Sequence, residues 1–152
     1  DIGRYPRGIA VAPDDSVAYV TAMGTSDIAI VDLSTFEVEW IKDVGQAPRS
    51  VALSPDGKQL FVTLNEEAEV KRIDTATRKV TGEVVTGNQP RSMVLSDDGT
   101  ALYVVNYADD TLSKVRTSDM VELQELPTGT TRSASPTTRP PAGCGWPATS
   151  ER

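Results

Sequence analysis

Between Gly3 and Thr128 the chain runs in short alternations of apolar and polar residues, and the alternation repeats every 42 residues. Gly3, Gly45 and Gly87 open units reading GRYPRGIAVAPDDSVAYVTAMG, GQAPRSVALSPDGKQLFVTLNE and GNQPRSMVLSDDGTALYVVNYA, which align without a gap. In the second unit the period-two runs RSVALS, QLFVTL, EVKRID and KVTGEVV predict four strands, separated by turn signals at PDGK, NEEA and TATR. Helix-type spacing of apolar residues at i, i+3, i+4 and i+7 is missing from every long window.

The columns of the repeat predict packing. In the first strand Ile9/Val51/Met93 and Val11/Leu53/Leu95 are large, whereas Gly8/Ser50/Ser92 and Ala12/Ser54/Ser96 are small. One face needs bulk and the other close approach, as when sheets stack face to face. The second strand is apolar on both faces around Tyr19/Phe61/Tyr103 and Val20/Val62/Val104, which predicts a central strand. The third carries Lys71, Arg72 and Lys114, which predicts a position nearer solvent. Four-stranded antiparallel units of this length, repeated radially, make an all-β fold, a β-propeller.

The segments AYVTAMG, LFVTLNE and LYVVNYA, together with PRSVALSPDGKQLFVT and VKRIDTATRKV, resemble the YVTN-repeat β-propellers, the YncE-like group. The resemblance covers residues 1–128 and places blades at about 3–44, 45–86 and 87–128. Propellers close with roughly four to eight blades, so three units are expected to be a fragment of a larger propeller of about seven. The resemblance implies an exported protein, periplasmic or surface-associated, although no signal peptide is visible in this chain. Unit three departs from the pattern at Arg116, where the others carry Asp32 and Asp74. An Asp there caps a turn, so its loss is expected to loosen that turn.

Composition narrows the chemistry. The chain contains no His, which excludes a Ser-His-Asp triad or a His-bound metal or haem supplied by this segment alone. Net charge is −7, and three arginines against one glutamate after Thr128 leave −9 on residues 1–128. Such a surface repels phosphate backbones and argues against nucleic acid as a partner. No apolar run is long enough to span a bilayer. Acidic pairs at Asp14-Asp15, Glu66-Glu67, Asp97-Asp98 and Asp109-Asp110 fall in turns and lack EF-hand spacing, so no metal site is assigned. No cofactor and no catalytic residue is assigned either.

What remains is Arg7, Arg49 and Arg91, one per unit at the start of the first strand. In a propeller the first strands line the channel, so these guanidinium groups are expected at its mouth. There they would bind a carboxylate or phosphate ligand, or else pair with Glu66, Glu67, Asp109 or Asp110. The function expected is a non-catalytic scaffold that binds a protein, a glycan or a small anionic ligand on the channel face. The alternative is a piece of a propeller enzyme, a lactonase-like hydrolase or a redox-cofactor propeller, whose catalytic residues lie in other blades.

Residues 129–152 break the pattern with Pro, Thr, Ser, Arg and a single Cys144. Their composition suits a disordered tail. A fourth unit is due at Gly129, and a shifted reading frame permits PIGITYDPATRRVWVACY from position 132, a blade-like string; a frameshifted fourth blade is the second expectation.

Overall fold

A computed structural model describes residues 1–128, and the expectations for 129–152 and Cys144 lie outside them. The described residues hold twelve strands and no helix. They form three separate antiparallel sheets, each of four strands in chain order. The first comprises β1 (Pro6–Val11), β2 (Val17–Ala22), β3 (Ile28–Asp32) and β4 (Val38–Ile41). The second comprises β5 (Pro48–Leu53), β6 (Gln59–Leu64), β7 (Glu69–Asp74) and β8 (Lys79–Val85). The third comprises β9 (Pro90–Leu95), β10 (Ala101–Asn106), β11 (Thr111–Arg116) and β12 (Val121–Pro127). First strands touch first strands, β1 against β5 and β5 against β9, so the sheets fan out from a common edge. The chain folds as three consecutive blades of a β-propeller.

Apolar burial between sheets holds the fan together. Tyr19, Ile28 and Ile30 of the first sheet meet Val51, Leu60, Val62, Leu64 and Ile73 of the second. Phe61 and Val70, on the opposite face of the second sheet, meet Leu102, Val104 and Val115 of the third. The second strands are internal, as their two-sided apolar character requires. The third strands are internal too, yet β7 and β11, which carry Lys71, Arg72 and Lys114, are less buried than β6 and β10, as expected; the fourth strands form the exposed edge, and β12 is exposed throughout. The charges in β7 have local partners. Lys71 donates to the Val44 carbonyl and pairs with Glu67 and Glu69.

Short polar residues shape the turns. Asp56 accepts from the Ser54 hydroxyl and the Lys58 N–H, and Asp98 from Ser96 and Thr100. The next position takes positive φ, +73° at Gly57 and +72° at Gly99, with Asp15 in the same column at +56°. Asp32 and Asp74 cap the later turns as expected, accepting from Ser34 and Thr35 and from Thr77. The turn at Arg116 lacks the backbone hydrogen bond that Phe36 and Arg78 donate to Asp32 and Asp74 in the other two blades, in keeping with a looser turn. Its guanidinium donates to Asp119 instead, through two hydrogen bonds of 2.8 and 2.7 Å, with the acid and its partner exchanged.

Candidate functional site

The three arginines owe their placement to one local device used three times. Tyr5, Ala47 and Gln89 precede Pro6, Pro48 and Pro90, and proline disfavours the right-handed helical region for its predecessor. All three adopt left-handed φ of 56°, 52° and 53°. Immediately afterwards the pairing of first and second strands slips, between Pro6 and Ile9, between Pro48 and Val51, and opposite Val105/Asn106 in the third sheet. Arg7, Arg49 and Arg91 sit in these irregularities. A bulge leaves its residue out of the ladder and redirects the side chain.

Thr21 fixes the spacing between the first two arginines. Its hydroxyl accepts from the Gly8 N–H at 2.8 Å and donates to the Arg49 carbonyl of the neighbouring blade at 2.7 Å. Thr63 accepts from Ser50 N–H in the same way, at 2.9 Å. The approach is close enough that a Cβ on Gly8 would lie 2.7 Å from the Arg49 carbonyl oxygen. That accounts for the glycine at position 8.

Arg7, Gly8, Arg49, Ser50, Arg91 and Ser92 together line one open cavity of about 300 Å³. The structure therefore brings the three sequence-predicted arginines onto one site. None of them is in an ion pair among the described residues. Arg49 donates to Met23 Sδ at 3.2 Å, and Arg91 donates to Gln89 Oε1 at 3.2 Å while its guanidinium lies 3.4 Å from the centre of the Tyr107 ring. Burial, and then the like charges of Arg91 and Arg7, push the Arg49 guanidinium below its ordinary pKa. The site is an uncompensated positive cluster.

Two of the acids considered as partners have other work. Glu67 accepts from the Gln46 N–H at 2.7 Å, and Asp109 accepts from the Asn88 N–H at 2.7 Å and from the Asn88 side-chain amide. These are equivalent positions one repeat apart, each carboxylate clamping the loop that leads into an arginine. The Asn88 hydrogen bonds hold Asp109 below the usual carboxylate range. Met23, Gln89 and Tyr107 were not singled out by the sequence, because their columns differ from blade to blade and carry no repeat signal. Among the described residues no group of three or more Cys, His, Asp or Glu is placed to hold a metal.

The family of this propeller is decided by comparison of its sequence. Residues 13–143 match the model of the cytochrome D1 heme domain. The chain belongs to the cytochrome D1 heme domain family. No curated protein matches it. Among solved structures, the hydrazine synthase of Kuenenia stuttgartiensis superposes with a TM-score of 0.75 at 23% identity, over 80% of this chain and 35% of that one. A functionally unknown protein of Desulfotomaculum acetoxidans gives 0.68 at 17%, over 80% and 42%. A Bacteroides fragilis protein described as a candidate 6-phosphogluconolactonase gives 0.69 at 19%, over 80% and 39%. At these identities the likeness shows the propeller fold, and the chain spans well under half the length of each structure.

Proposed function

We propose that this segment is a binding scaffold of the YVTN, YncE-like kind, and that Arg7, Arg49 and Arg91 form a receptor for a small anionic ligand. One observation carries the reading: three guanidinium groups line a single cavity without a paired carboxylate, while Glu67 and Asp109 are committed to backbone N–H groups. Uncompensated like charges destabilise one another, and a bound carboxylate or phosphate would relieve that while using the planar donor forks of Arg. The resemblance to exported propellers supports a periplasmic or surface location for the whole protein. No helix among the described residues is long and apolar enough to cross a membrane. The catalytic alternative, a lactonase-like or redox-cofactor propeller, is supported only at the level of fold.

The family name raises the question of haem. The arginine row suits the carboxylate substituents of a macrocycle, but the residues beside it do not fit the iron. The chain has no His, Met23 Sδ is already an acceptor for Arg49, and the Tyr107 ring lies under Arg91. No step through a haem follows from these side chains.

The test is titration of the chain with inorganic phosphate and with citrate, followed by calorimetry. Replacing all three arginines with Gln is expected to lower affinity at least about tenfold for each charge-assisted hydrogen bond removed, with the thermal midpoint held. Equal binding by the triple variant would remove the arginines from any ligand site.

A further inference from the structure

The repeat allows one blade junction to be read against the next. Between the second and third blades the guanidinium of Arg72 bridges the two sheets. Its Nε and Nη2 donate to the hydroxyl and carbonyl of Thr81 in its own sheet, each at 3.0 Å. Its Nη1 donates to the carbonyls of Thr117 and Ser118 in the next blade, at 2.7 and 3.0 Å. Between the first and second blades the residue 42 positions earlier is Ile30, which has no donor to offer. The position of Thr117 is there taken by Thr75, and that of Thr81 by Glu39, a carboxylate in place of a hydroxyl.

At this first junction lies a cavity of about 280 Å³. Val17, Tyr19 and Ile30 of the first blade supply its apolar lining, and Thr75 and Arg78 of the second blade line it from across the junction. Asp32, Glu37 and Glu39 complete it. Arg78 pairs with Glu39, which leaves Asp32 and Glu37 as an excess of two negative charges. The same positions of the next junction lean the other way, with Asp74 alone against Arg72 and Lys79. Glu37 and Glu39 are exposed, so these carboxylates are open to a group arriving from solvent. Asp32 spends only Oδ1 on the Ser34 and Thr35 donors of its turn. The first junction thus has the acceptors and an open space, and the second shows which side chain such a junction takes.

We infer that the cavity between the first two blades is a receptor for a guanidinium group on an apolar stem, as carried by arginine. The planar head supplies five donors to carboxylates and carbonyls placed around it, and the methylene stem lies along Val17, Tyr19 and Ile30. An ammonium is a point charge without that fork. This cavity shares no residue with the one lined by Arg7, Arg49 and Arg91, so the inference stands apart from the anion site.

Heteronuclear NMR of the 152-residue chain, with the Val17 and Ile30 methyl groups as reporters, tests it against blocked arginine (the acetylated amino acid amide), blocked lysine and free arginine. Blocked arginine is expected to shift both sets of methyls and to bind at least about fivefold more tightly than blocked lysine. Glu37→Gln, at an exposed position, is expected to weaken it about threefold. Ile30→Arg, which installs the residue of the next junction, is expected to fill the cavity from within and abolish the shift at Val17. Circular dichroism melts report whether both variants fold; if Ile30→Arg does not, the Glu37→Gln titration decides alone. Equal binding of arginine and lysine, affinity unchanged in Glu37→Gln, or a shift that survives in folded Ile30→Arg overturns the receptor. Tighter binding of free than of blocked arginine supports it with a small-molecule ligand. Blocked arginine binding as tightly or more so supports it with the arginine side chain of a protein partner.

Discussion

Asp32 and Asp98 show how little space a stabilising carboxylate needs. Asp98 is exposed and Asp32 half-buried, yet hydrogen bonds from Ser34 and Thr35, and from Ser96 and Thr100, hold both to about 2 against an ordinary 3.8. A depressed carboxylate contributes stability that is complete above its unfolded value and is lost as pH falls through its folded one. These turns should therefore weaken as pH drops from 3.8 towards 2. Thermal midpoints followed down through that window should fall in the native chain. Asp32→Asn with Asp98→Asn should start lower at neutral pH and show a shallower acid limb. An unchanged acid limb would mean that these two turns do not limit acid stability. Such caps were legible in the sequence, since Asp followed by Ser, Thr or Gly has a local cause. The Arg116–Asp119 exchange was not, because an ion pair across a turn depends on geometry that the repeat columns do not encode.

Among elements, the interactions that matter most are those between neighbouring blades. Arg72 of β7 donates to the Thr117 and Ser118 carbonyls of the third blade at 2.7 and 3.0 Å, while bonding Thr81 of its own sheet. Gly82 leaves room for this, since a Cβ there would lie 2.9 Å from Met120 Cγ and 3.3 Å from the Arg72 guanidinium. Arg72→Met should cost about 2 kcal/mol, the usual worth of charged hydrogen bonds on a half-buried side chain. Thr21→Val should cost about 1–2 kcal/mol by stranding the half-buried Gly8 N–H and the Arg49 carbonyl. Urea denaturation midpoints measure both, and a Thr21→Val change below about 0.5 kcal/mol would show that the hydroxyl is not a brace. Strand positions were readable to within a residue or so because period-two alternation is strong; the predicted RSVALS begins at Arg49 and the strand at Pro48. That β7 lies nearer solvent than β6 was legible too, whereas the partners of Lys71 and Arg72 were not, because their stems lie along apolar surface and only their charged ends reach neighbouring loops.

For the whole molecule, the two apolar clusters lie on opposite faces of the second blade, so each blade is stabilised chiefly by its neighbours. Truncating Phe61, fully buried against the third blade, should cost about 3–5 kcal/mol. The loss should fall unevenly. Hydrogen exchange is expected to show β9–β12 amides opening first in Phe61→Ala, with β1–β4 protected, and the reverse in Leu60→Ala, whose side chain belongs to the other cluster. Uniform loss of protection in both variants would indicate a single cooperative unit. The propeller was legible from the 42-residue period alone, because radial repetition writes itself into the chain. The arginine row was legible as a column. The stacking of Arg91 on Tyr107 was not, since it arises in a column that reads Met23, Asn65 and Tyr107, and a broken column has no periodic signature.

The nearness of Gly8 to the Arg49 carbonyl has a consequence for how such a site could change over generations. Beneath the arginines the floor is main chain, brought so close between blades that side chains larger than hydrogen or a hydroxymethyl group have no room. Substitution cannot rebuild that floor without parting the blades. Variation in the chemistry beside the arginines falls instead to the loops that carry Met23, Asn65 and Tyr107, where the repeat already differs from blade to blade.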